Sequence, residues 1–108
     1  MNRELIIELA STGCMAYDNY DLERLLEKAA ACEEEGIKPE KILTVANKCC
    51  GVYEFYNPVR LLRKAVECSR IGHDPVAVLE RAFRECYIDQ QPVRVLSEMI
   101  DDEALPRR

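Results

Sequence analysis

Residues 21–50 read DLERLLEKAAACEEEGIKPEKILTVANKCC, and residues 57–86 read NPVRLLRKAVECSRIGHDPVAVLERAFREC. Laid over each other at an offset of 36, the two segments agree at 11 of 30 positions: Arg24/Arg60, Leu25/Leu61, Leu26/Leu62, Lys28/Lys64, Ala29/Ala65, Cys32/Cys68, Gly36/Gly72, Pro39/Pro75, Leu43/Leu79, Ala46/Ala82 and Cys50/Cys86. Ordinary residue frequencies would give about two matches. A fixed period of this length signals stacked supersecondary units. Upstream, the same offset places Ile6, Ala10, Cys14, Tyr17 and Tyr20 over Ile42, Ala46, Cys50, Tyr53 and Tyr56. Downstream it shortens to 34, so that residues 57–62 recur as residues 91–96 with a deletion around Asp89 and Gln90, where a loop tolerates loss.

Each unit reads as two helices. Asp21 is placed to cap the first, whose apolar residues Leu22, Leu25, Leu26, Ala29 and Ala30 follow helical spacing. Gly36 and Gly72 stop the first helix of each unit, because glycine enters the left-handed conformation without a Cβ clash. Pro39, Pro58, Pro75 and Pro92 suit the first turn of the following helix, where a missing N–H costs nothing, and Asn57 and Asp74 precede two of them as caps. The Gly-x-x-Pro link is short enough that each pair must fold back as an αα-hairpin. The spacing predicts an all-α chain of six helices, over 2–16, 21–35, 39–55, 58–71, 75–88 and 92–103. One domain results, divided into a half repeat 1–20, repeats 21–56 and 57–90, and a half repeat 91–108. The helix that opens each unit is termed A and the one that closes it B, so the chain runs B, A-B, A-B, A. The outer helices then act as caps for the central units.

A helix-turn-helix unit of 34 to 36 residues with small residues at Ala29/Ala65 and Ala46/Ala82 and proline at the turn resembles the tetratricopeptide-type α-solenoids, in a degenerate form lacking the family's Trp and Gly-Tyr positions. The resemblance covers nearly the whole chain. It implies a right-handed stack that catalyses nothing and binds other proteins along an extended face lined by the A helices. A compact bundle with duplicated sequence is the competing architecture; mostly nearest-neighbour helix contacts would distinguish the solenoid.

Composition narrows the class. The chain has 108 residues, a net charge of -5, 48% hydrophobic and 32% charged residues, and six cysteines. This is a globular composition of single-domain size. No run of about 18 apolar residues occurs and the N-terminus carries no signal-peptide pattern, so a cytoplasmic location with reduced thiols is expected. Five of the six cysteines (Cys14, Cys32, Cys50, Cys68, Cys86) recur with the repeat, which points to packing. Cys49 alone aligns with dissimilar residues, Gly13 and Glu85, and is the candidate reactive thiol. No Cys-x-x-Cys pair occurs and His73 is the single histidine, so neither a metal nor another cofactor is expected.

The main candidate site is a basic column on the A helices: Arg24 and Lys28, Arg60 and Lys64, then Arg94, with Glu98 breaking it. Like charges four apart weaken a helix by about 0.2–0.5 kcal/mol. The plainer reading is a solvated face relieved by Arg24–Glu27 and Lys64–Glu67 pairs; the functional one is a groove that binds an acidic peptide or helix. On the last helix, Val95, Leu96, Met99 and Ile100 form a candidate interface for a homodimer or a partner helix. The tyrosine pairs Tyr17/Tyr20 and Tyr53/Tyr56 are expected to cover the hairpin corners, with hydroxyls reaching water or backbone carbonyls; a repeated aromatic surface that anchors a partner is the alternative. Acidic runs at 33–35 and 101–103 sit at helix C-termini, where negative charge is unfavourable; a basic partner or a frayed turn would account for them.

Catalysis has little support. His73 follows Gly72 in a turn, with no cysteine or serine nucleophile expected beside it, although a small redox or enzyme role centred on Cys49 or His73 stands as an alternative. Nucleic acid is disfavoured by charge: residues 1–56 carry 6 basic and 11 acidic groups and residues 57–108 carry 9 of each. The cluster Arg60, Arg63, Lys64 and Arg70 is the local exception.

Overall fold

The computed structural model describes residues 1–13, 21–49, 56–85 and 92–104; the side chains of Gly13, Cys49, Glu85, Met99 and residues 101–104 lie outside the described set. Among the described residues six helices follow in order: α1 (Arg3–Gly13), α2 (Leu22–Glu34), α3 (Pro39–Cys49), α4 (Pro58–Arg70), α5 (Pro75–Glu85) and α6 (Pro92–Ala104). All the expected starts agree within a residue. The expected ends at 16, 55 and 88 lie outside the described residues, as do Cys14, Cys50, Cys86, Tyr17, Tyr20 and Tyr53. No helix among the described residues is long and apolar enough to cross a membrane.

The helix boundaries are made by local chemistry. The Asp21 carboxylate accepts the Glu23 and Arg24 amides at 2.9 and 3.3 Å, and the Asn57 side chain accepts those of Val59 and Arg60 at 3.0 and 3.3 Å. At the other end, Gly36 (φ 79°) and Gly72 (φ 95°) close their helices with one hydrogen-bond pattern used twice. Ile37 N–H donates to the Cys32 carbonyl at 2.8 Å and Gly36 N–H to Glu33 at 3.0 Å; His73 N–H donates to Cys68 at 3.1 Å and Gly72 N–H to Ser69 at 3.0 Å. This is the Schellman motif, which satisfies carbonyls that a helix end would otherwise leave bare. An added Cβ at either glycine would meet nothing within 4 Å, so the requirement for glycine there is one of backbone conformation alone.

The helices form two layers. Packing is most extensive between each helix and the one two places along, α1 with α3 with α5 and α2 with α4 with α6; the two helices of a hairpin touch less. Contact therefore runs mainly between equivalent helices of successive units, where nearest-neighbour helix contacts had been expected. Small residues allow this approach: Ala29, Cys32, Ala65 and Cys68 are all fully buried, and the Cys32 thiol reaches the Leu62 carbonyl at 3.6 Å. The shortest dimension of the molecule, 21 Å, equals about two helix diameters.

One apolar cluster runs through both layers, including Ile6, Leu25, Ile42, Leu43, Leu61, Leu62, Leu79 and Leu96. Equivalent positions differ in burial according to their place in the layer. Leu62 is fully buried on α4, which has α2 on one side and α6 on the other, whereas Leu26 on the terminal α2 is half-buried. For the same reason Leu22 is 46% exposed although it belongs to the apolar stripe of its helix.

Tyr56 is buried, as expected of a corner tyrosine, and its hydroxyl meets the Asn47 side chain. It donates to Asn47 Oδ1, and Asn47 Nδ2 donates across to the Leu9 carbonyl at 3.1 Å, tying α1, α3 and the entry to α4 together. The acidic run 33–35 also finds partners within the chain. Glu35 lies 3.0 Å from Arg70 of the next unit and Glu33 lies 3.2 Å from the Met1 amino group.

Cys32 and Cys68 are free and buried thiols. Burial, reinforced by Glu33 and Glu35, pushes Cys32 from the usual 9.0 up to about 12; burial, reinforced by Asp74, pushes Cys68 to about 11. Unfolded thiols ionise first as pH rises, so these two groups leave stability unchanged below about pH 9 and lower it progressively from there towards the folded values. At pH 8, iodoacetamide followed by peptide mapping will find Cys32 and Cys68 unlabelled in the native protein and labelled in urea. Rapid native labelling of either would contradict their role as packed hydrophobes.

Candidate functional site

The caps at Asp21 and Asn57 fix where α2 and α4 begin, and the buried faces Leu25, Ala29 and Cys32 of α2 and Leu62, Ala65 and Cys68 of α4 leave the opposite, charged faces outward. Together these bring Arg24 and Lys28 of α2 to face Arg60 and Arg63 of α4 across an open groove of about 500 Å3, completed by Glu27, Asn57 and Val59. Three of the five residues of the basic column, Arg24, Lys28 and Arg60, are thus assembled into one site. Lys64 and Arg94 are not: Lys64 is held 3.1 Å from Glu67 and Arg94 lies 3.0 Å from Glu98, each neutralised on its own helix.

The groove is short of counter-charge. Glu27 lies 4.0 Å from Lys28, taking the place of the expected Arg24–Glu27 pair. The side chains of Arg24, Arg60 and Arg63 form no ion pair among the described residues, and all three are exposed. Arg63 belongs to this wall although it lies outside the column read from the sequence. The signal was present in the repeat itself, because Arg63 stands 36 residues after Glu27, so a carboxylate in one unit is replaced by a guanidinium in the next.

The remaining candidates are placed as follows. Leu96 is fully buried in the core, so its side chain is no part of an exposed face, while Val95 and Ile100 are half-buried against the same core. The side chains of Met99 and Cys49 lie outside the described set. His73 is half-buried in a cleft of about 500 Å3 between the two Gly-x-x-Pro links. Ser69 and Asp74 line that cleft too, and Gly72 N–H donates to the Ser69 carbonyl in the helix-ending turn. The Asp74 carboxylate is engaged as the cap of α5, accepting Val76 and Ala77 amides at 3.0 and 3.5 Å.

Among the described residues no three His, Cys, Asp or Glu side chains come together as a metal site. No family model, curated protein or solved structure matches the chain.

Proposed function

We propose that this chain is a non-enzymatic protein-binding scaffold, a degenerate tetratricopeptide-like, right-handed stack of two full and two half repeats, that takes an acidic peptide or helix on its A-helix layer. The observation that carries this reading is the groove between α2 and α4, where Arg24, Lys28, Arg60 and Arg63 converge with Glu27 as the one lining carboxylate among the described residues. Arg24, Arg60 and Arg63, which pair with no carboxylate among the described residues, retain their full capacity for charge-assisted hydrogen bonds to a ligand. Cations already paired, such as Lys64 and Arg94, do not. Sequence-adjacent helices do not make the dominant contacts expected of a solenoid; the stack is supported instead by the packing of equivalent helices of successive units, through which each unit buries its apolar face against the next.

A fluorescein-labelled Glu-rich peptide tests the reading by anisotropy. Arg24→Ala plus Arg60→Ala will weaken binding by about tenfold or more, since each hydrogen bond to a charged group contributes about 1.5–3 kcal/mol. Arg84→Ala, on the other layer, serves as the control and leaves binding unchanged. Equal affinity of the double variant and the parent chain removes the groove from consideration.

A further inference from the structure

We infer that the groove between α2 and α4 recognises a phosphate monoester carried on a peptide, in preference to a carboxylate. The inference rests on the binding role just proposed for this face and specifies its ligand chemistry.

Charge is the first reason. Among the described residues four cations face one carboxylate, and that carboxylate is already close to Lys28. A single carboxylate ligand would neutralise one cation, whereas a phosphate monoester brings nearly two negative charges at neutral pH. Geometry is the second. The arginines that line the groove come from two helices, Arg24 from α2 and Arg60 with Arg63 from α4. A planar carboxylate offers its two oxygens along one edge and suits one fork; a tetrahedral phosphate offers three terminal oxygens and accepts forks from both walls at once.

The cap of α4 is the third. Asn57 lines the groove and caps its helix without charge, whereas α2 and α5 are capped by the carboxylates of Asp21 and Asp74. An aspartate at position 57 would cap equally well and would place a negative charge in the groove. The Asn57 side chain also occupies the Val59 and Arg60 amides, so the anion is held by side chains rather than by the helix end. Half-buried Val59 supplies an apolar strip for the residue next to the phosphate. The chain as a whole carries a charge of -5, with the acidic surplus in the half that supplies α2, which repels an extended polyanion and favours a compact dianion.

Three labelled nonapeptide libraries with degenerate neutral flanks test this, identical except for a central phosphoserine, glutamate or serine. The phosphoserine library will bind about tenfold or more tightly than the glutamate library, corresponding to about 1.4 kcal/mol. Its affinity will fall between pH 7.5 and pH 5 as the phosphate takes up its second proton near pH 6. Arg60→Gln plus Arg63→Gln, both at exposed positions, will abolish the difference with the thermal unfolding midpoint unchanged. Asn57→Asp will weaken the phosphoserine library more than the glutamate one. If the glutamate library binds as tightly, the phosphate inference fails and the acidic-peptide reading stands. If neither the phosphoserine library nor the Glu-rich peptide binds, both fail. Tighter binding of a single-stranded oligonucleotide of matched length would also overturn the inference.

Discussion

Leu62→Ala lowers the unfolding free energy by about 2–5 kcal/mol, and Leu26→Ala, at the same repeat position 36 residues earlier, lowers it by about 1 kcal/mol. The two side chains are chemically identical and lie on helices of the same layer. Leu62 is fully buried because α4 is flanked on both sides, so truncation leaves a cavity that α2 and α6 cannot both close. Leu26 is half-buried on the outermost helix, where water fills the space that a shorter side chain vacates. A domain of this size is stable by only about 5–15 kcal/mol, so the first substitution removes a large fraction of the total. Urea unfolding at pH 7 measures both. Equal losses would show that the layer position does not control burial energy, and that α2 and α4 experience the same packing in solution.

Asn47→Ala is the second large effect, with an expected cost of about 1–3 kcal/mol from a half-buried polar side chain. Its amide joins three parts of the chain at once, accepting from the Tyr56 hydroxyl and donating to the Leu9 carbonyl. Truncation releases both groups inside the packed layer formed by α1 and α3. Tyr56→Phe keeps the ring in its buried place and removes only the hydroxyl, so its cost is smaller. The double variant separates the two roles: a coupling of about 0.5–1.5 kcal/mol between Asn47→Ala and Tyr56→Phe is expected for a direct hydrogen bond. Strict additivity would mean that the two residues stabilise the corner independently.

This bridge also shows where repetition stops being informative. The position 36 residues after Asn47 is Phe83, which is 49% exposed. One slot in the repeat thus holds a structural hydrogen-bonding group in one unit and a surface aromatic in the next. The difference follows from what each helix packs against. Similarly, the acidic run 33–35 looked unfavourable at a helix C-terminus until Arg70, supplied by the following unit, was seen 3.0 Å from Glu35. An exposed pair of this kind contributes little to stability, about 0–1 kcal/mol, yet it explains why a carboxylate is tolerated there.

The candidate site was half legible. Its periodic members Arg24, Lys28 and Arg60 are visible as a column because helical spacing alone aligns them. Arg63 and Asn57 are not marked by identity between units; Arg63 matters through its difference from Glu27, 36 residues earlier. Conversely Lys64 and Arg94 share the spacing but have carboxylates one turn away that hold them on their own helices. The apolar residues of α6 showed the same limit: periodicity identified Leu96 as apolar but could not say that the core already contains it.

Sequence alone determined the six helices, their starts at Asp21, Asn57, Asp74 and the prolines, their stops at Gly36 and Gly72, and the duplicated unit they build. These are local matters, decided by caps, positive φ and missing amides within a few residues of chain. Tertiary structure decided which equivalent leucine is buried, which of five basic residues are left without counter-ions, and which helices touch. Those outcomes depend on neighbours supplied by other units, and a terminal helix has one neighbour in its layer where a central helix has two.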